Sequence, residues 1–305
     1  MTAYVVRRTL QIIPTLFILS LLVFFIVRLK GDPIAQLAPF DINQEELDLL
    51  REAYGLDKPL HVQYWKFISK AMVGDFGRSM RYHQPALPIV LERLPATLTL
   101  ALSALALALV ISVPLGIVSA LRRGSFIDLI ATSLSIIGRA MPSYWLGIML
   151  ILFFAVRMEI LPVSGMDERG SLVLPTITLG MSLATTLTRM IRSSMLEVVH
   201  QEYIRTARAK GLAERVVLLR HALRNALIPV MTMFTLQLAW LFSGVVIVET
   251  VFAWPGMGRL LVKAVTTRDM ALVQAGIFIA ALAVLVINLL TDIAYTLIDP
   301  RIRYE

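Results

Sequence analysis

Side chains suited to covalent chemistry are few and scattered in this 305-residue sequence. His61, His83, His200 and His221 form no H-E-x-x-H pair, the spacing that puts two imidazoles on one helix face for zinc. No G-x-x-x-x-G-K-[ST] loop cradles a nucleotide phosphate, so ATP used on the chain's behalf must be hydrolysed elsewhere. A G-x-S-x-G elbow is missing, and no paired carboxylates occur in the apolar stretches. Without cysteine there is no disulfide, thiolate metal site or sulfur nucleophile. These observations predict no catalytic centre, no metal site and no cofactor bound by the chain itself.

The more informative cluster is basic. Within Gln201–Val230, residues 201–210 are helix-compatible, and Gly211 can take the left-handed conformation that ends a helix. Ile204, Ala207 and Leu212 are predicted to form a narrow apolar strip, flanked by Arg205, Arg208 and Lys210. Such a rod fits a groove in another protein and can pass on that partner's motion as a rigid-body shift. The alternative is a basic loop that fixes topology and touches anionic lipid.

Something must hold that rod, and composition says what. Hydrophobic residues make up 57% and charged ones 16%, with mean hydropathy +0.75. Soluble chains sit nearer 45–50% and about 25%. A membrane span needs about 20 apolar residues. Six runs qualify: Thr9–Val27, about Ala96–Leu121, Leu129–Val156, Leu172–Met190, Ala226–Val248 and Gln274–Ile298. The first is too long for a secretory signal and lacks a small-residue cleavage site, so it reads as an uncleaved helix. The third contains Gly138, Arg139 and Pro142 and is expected to kink or break. The 191–225 loop carries seven Lys/Arg against three Glu, which places it and both termini in the cytoplasm. The net charge of +8 is then a matter of topology and calls for no nucleic acid. The expected organisation is an all-α membrane protein in three parts. Residues 1–28 are the N-terminus and first helix, 29–95 an extracytoplasmic insertion with short helices, and 96–305 a five-helix core. In the insertion, Asn43 and Glu46 resemble a capping box and Gly55 a C-cap, and Leu60–Met72 is amphipathic. Those short helices read as a surface layer and as a docking site for an extracytoplasmic partner.

Charges within or beside the spans are the remaining candidates. Arginine at mid-bilayer costs at least about 2.5–3.5 kcal/mol on insertion scales. Arg139 therefore either binds a carboxylate or gates a pathway, or it lies near the cytoplasmic end of a kinked span and caps carbonyls. Glu249, with the apolar loop Trp254–Gly258, is read as a gate against simple helix-end capping. Arg139, Glu249, Trp254 and Met257 are thus the candidate pathway residues.

The stretch YIRTARAKGL…RHALRNALIPV resembles the "EAA" cytoplasmic loop of ABC-importer permeases, and in detail the dipeptide/oligopeptide/nickel branch. The resemblance runs the full length, through Gly31–Pro33, Tyr54–Pro59, Gly74–Ser79, Glu249–Leu260 and Asp299–Tyr304. Two departures from the broad consensus, Arg205 in place of glutamate and a late Pro229, are usual in the peptide branch. The resemblance implies the six-helix type I permease fold with both termini inside. It implies half of a translocation pathway for small peptides in a bacterial inner membrane, with glutathione, nickel chelates or sugars as alternatives. Implied partners are a paralogous permease, two cytoplasmic ATPases that use ATP and Mg, and an extracytoplasmic binding protein. Arg205, Thr206, Ala207, Lys210, Gly211 and Leu212 would then sit in or beside the ATPase groove. A secondary transporter would need coupling carboxylates at mid-membrane, and an intramembrane hydrolase a nucleophile and base in facing spans; neither set occurs.

Overall fold

A computed structural model describes residues 2–29, 43, 45, 49, 52 and 57–298. Residues outside that set hold the Gly31–Pro33 and Asp299–Tyr304 motifs and most of the predicted 43–55 helix. In chain order the longer described helices are α1 (Thr2–Leu29), α2 (Leu60–Met72), α3 (Ala86–Leu121), α4 (Phe126–Ala140) and α5 (Ser143–Leu150). They continue with α6 (Val173–Val199), α7 (Glu202–Ala209), α8 (Glu214–Val216), α9 (Leu223–Val251), α10 (Met257–Thr266) and α11 (Met270–Ile298). Wider π turns at Ile151–Arg157 and Val217–Ala222 extend α5 and join α8 to α9.

Two compact units divide the chain. One comprises Met1–Pro95 and Gly256–Leu289, the other Ala96–Pro255 and Leu290–Glu305. In the first, α2 lies on α1, where the Tyr64 hydroxyl meets Ser20 Oγ at 2.7 Å. The Tyr64 ring is also edge-on to Phe17 and Phe24. Phe76, Val90, Met257, Leu260, Ala264 and Leu272 form the apolar core of this unit. The Gly74–Ser79 motif closes over it through Asp269, which is 1% exposed. Ser79 Oγ donates to Asp269 Oδ2 at 2.5 Å, and Asp269 Oδ1 accepts from Leu272 N at the start of α11.

The second unit is built around α6. The predicted span stopped at Met190, yet the helix runs to Val199. Thr178, Thr185, Thr188 and Ser194 are buried in it. The Thr178 hydroxyl donates to the Leu174 carbonyl at 2.8 Å, so its burial leaves no hydroxyl unpaired. Backbones approach closely here: a Cβ on Gly180 would stand 2.9 Å from the Ala104 carbonyl of α3.

Among the described residues, three helices are long and apolar enough to cross a bilayer: Ala86–Leu121, Glu214–Leu238 and Met270–Thr291. The pair Phe126–Ala140 and Ser143–Arg157, bent by 104°, adds a fourth if counted as one span. The bend falls where Pro142 was expected to break the helix, with Met141 extended before it. Leu10–Phe25 is apolar but shorter, and the hydroxyl content of α6 lowers its hydropathy, so length and composition alone do not reach six.

Candidate functional site: the α7 rod and its supports

The basic stretch folds as the sequence predicts. Helix α7 spans Glu202–Ala209, and Gly211 closes it at φ +78° with its N–H on the Arg208 carbonyl at 2.9 Å. Its apolar strip points elsewhere than expected. Ile204 is fully buried and Ala207 is 7% exposed, because α7 packs against the Val217–Ala222 turn of its own chain. Residues three apart share one helix face, and this face is consumed by folding. Ala207 therefore helps to seat the rod on its own chain. Arg205, Thr206, Lys210, Gly211 and Leu212 remain exposed on the outer side, with Leu212 at 40%.

Side-chain contacts fix the rod's orientation. Arg208 grips Glu214 with one guanidinium edge, Nη2–Oε1 at 2.7 Å and Nε–Oε2 at 3.1 Å, across the Gly211 turn. The Tyr203 side chain pairs with that of Asn225, whose amide also donates to the His221 carbonyl at 2.7 Å. Burial raises the Tyr203 pKa, and the Asn225 contact offsets part of that rise.

A second support was missed in the sequence. Arg192, near the end of α6, donates to Asp128 Oδ1 at 2.6 Å and Oδ2 at 2.9 Å. The same carboxylate accepts from Ser119 Oγ and from Gly124 N. One anion thus joins the end of α3, the 122–125 turn, the start of α4 and α6. Arg192 lies 64 residues from Asp128, so no local spacing betrays the pair.

The candidate pathway residues are placed as follows. Arg139 is exposed in the last turn of α4, next to the break, where its charge complements the helix C-terminus. Glu249 is fully buried and accepts from Thr97 Oγ1 at 2.6 Å. Trp254, 1% exposed, donates from Nε1 to the Ala96 carbonyl at 2.9 Å. Within their unit, both tie the end of α9 to α3. Met257, 2% exposed, belongs to the core of the other unit. All three pack as anchors, and Arg139 is the exposed member.

Comparison with known proteins shows the family of the chain that carries this rod. Residues 112–304 match the family described as "Binding-protein-dependent transport system inner membrane component". Residues 1–101 match the corresponding N-terminal family. The chain belongs to this family. It is a transport-system permease, as the EAA-like stretch implied. It is 41% identical over 306 residues to the glutathione transport system permease protein GsiC of Escherichia coli strain K12, covering 100% of both chains. GsiC of Shigella flexneri serotype 5b matches at the same identity and coverage. Two crystal forms of the inward-facing MetNI methionine ABC transporter share the fold, at TM-scores of 0.55 and 0.53. Sequence identity to them is 20% and 19%, and each match covers 69% of this chain and 96% of the other.

Proposed function

We propose that this permease forms half of the pathway of an ATP-driven ABC importer for small peptides, with α7 as the element that receives force from a cytoplasmic ATPase. The reading rests on the exposed outer side of α7, set on a braced base. Arg205, Thr206, Lys210, Gly211 and Leu212 present a small basic and apolar surface. Ile204, Ala207, the Arg208–Glu214 clamp and Tyr203 lock that surface to the Val217–Ala222 turn and α9. A push on α7 then travels through the Val217–Ala222 turn into α9, and through Arg192 and Asp128 into α4, because packed elements move as bodies.

In this reading six helices cross the bacterial inner membrane with both termini in the cytoplasm; α1, the bent α4–α5 pair and α6 supply the spans that composition alone does not single out. A paralogous permease completes the pathway, two ATPase subunits bind ATP and Mg, and an extracytoplasmic binding protein delivers the solute. The GsiC relatives are named for glutathione, itself a peptide, which supports a peptide solute and keeps glutathione as the first alternative. Arg139, exposed beside the α4–α5 break, is the pathway residue best placed to meet a solute carboxylate. Glu249, Trp254 and Met257 would shape the gate by anchoring it.

Leu212→Glu tests the assignment. Leu212 is exposed at the end of the rod, so the chain should insert normally. A charge at a contact centre should lower binding-protein-stimulated ATP hydrolysis about tenfold or more. Unchanged stimulation, or transport by this chain without nucleotide, would overturn the reading.

A further inference from the structure

Helix α2 presents more apolar surface than α1 covers. Tyr64, Phe67 and Ala71 face inward, with Tyr64 on Ser20 and the Phe67 ring 5.9 Å from that of Phe24. Beside them runs a second stripe, Trp65, Ile68 and Met72, at the i, i+3, i+7 spacing of one helix face. Trp65 is 73% exposed, and Met72 and Val73 are each 81% exposed. Lys66 and Lys70 lie on the opposite, polar side.

The position of Tyr64 along α1 tells what lies outside that stripe. The apolar part of α1 is Leu10–Phe25. Tyr64 reaches Ser20 and Phe17, five and eight residues below Phe25, or about 7–12 Å at 1.5 Å per residue. On α1 itself Ile13, Ile18, Leu22 and Phe25 are exposed at 47–63%, a surface fit only for lipid or another apolar body. The uncovered stripe of α2 starts beside that surface at Trp65 and rises toward the end of the apolar part, where Phe67 meets Phe24. A tryptophan in the apolar stripe of an amphipathic helix, with lysines on the other face, is the composition of an interfacial helix.

We infer that α2 is a membrane-embedded helix whose Trp65–Ile68–Met72 stripe rests on acyl chains of the leaflet that holds the C-terminal half of α1. It is then no water-borne docking platform. Its place beside α1 makes it a brace that fixes the tilt of the first span from within the bilayer. The inference is independent of the coupling role of α7 and of the solute carried.

The absence of cysteine makes the test direct. Nitroxide labels are placed at Trp65→Cys, Met72→Cys, Ile18→Cys as a lipid reference and His83→Cys as an aqueous reference. The full-length permease, with the subunits that accompany it, is reconstituted in phosphatidylethanolamine–phosphatidylglycerol vesicles. Labels at 65 and 72 should collide severalfold more often with oxygen than with a water-soluble nickel chelate, as at 18 and opposite to 83. Collisions dominated by nickel would overturn the inference. So would immobile labels sheltered from both, which would mean a covering protein. Where Trp65→Cys fails to fold, quenching by lipids brominated on their acyl chains separates the same alternatives. The quenched fraction of the native protein should then fall in Trp65→Phe, and an unchanged fraction would count against lipid contact.

Discussion

The Asp128 carboxylate shows how much one side chain can organise. It is 8% exposed at the side chain and receives two N–H groups from one guanidinium edge of Arg192, the Ser119 hydroxyl and the Gly124 amide. Removing one member of a buried pair costs more than the pair contributes, because the survivor keeps its desolvation penalty. Arg192 retains 25% exposure, so water relieves part of that penalty. Asp128→Asn and Arg192→Gln should each destabilise the permease by about 1–3 kcal/mol. The double variant should cost clearly less than their sum, as a double-mutant cycle of denaturation in detergent would reveal. Additive costs would mean that the two residues act separately. Sequence alone could not single out this pair. Asp128 looks like a polar residue at the edge of a span and Arg192 like one more inside cation, and only the packing of α4 on α6 makes them partners.

At the scale of elements, legibility followed locality. Leu60–Met72 could be bounded because its periodicity is strong and Pro59 starts it. The α4–α5 break could be placed because proline acts on its immediate neighbour. The end of α6 was missed because hydropathy stops at Arg189, whereas the helix continues on buried hydroxyls and the Arg192 contact. In α7 the apolar strip was visible but its direction was not: Ile204 and Ala207 would look the same whether a partner or the chain's own Val217–Ala222 turn covered them. The turn that follows yields a prediction. A Cβ at Gly211 meets nothing within 4 Å, so the only penalty for a side chain there is the φ of +78°. Gly211→Ala should cost about 1–2 kcal/mol locally, and Gly211→Asn less, since asparagine tolerates the left-handed region. In a permease that α7 drives, ATP hydrolysis stimulated by the binding protein should fall in the order Gly, Asn, Ala, with membrane insertion unchanged. Equal activity in all three would show that the turn need not be rigid.

For the molecule as a whole, the decisive question is which side of the bilayer bears α7, and the supports already described reduce it to one helix. Asp128 binds the 122–125 turn to Arg192 in the last two turns of α6, shortly before the chain enters α7, so the turn and the rod share a side. That turn ends α3, a 36-residue helix of mean hydropathy 2.5 in its apolar window. At 1.5 Å per residue α3 is about 54 Å long, more than the roughly 40–45 Å of a bilayer with its headgroups. In the six-span reading its two ends emerge on opposite faces. A cysteine at His83, just before α3, should react with an impermeant maleimide from outside intact cells, and one at Arg123 only in inverted vesicles. Labelling of Arg123→Cys from outside would put Arg205, Thr206, Lys210, Gly211 and Leu212 beyond the reach of any cytoplasmic ATPase. The basic loop would then have followed some rule other than retention of positive charge, and the coupling role would fall with the topology.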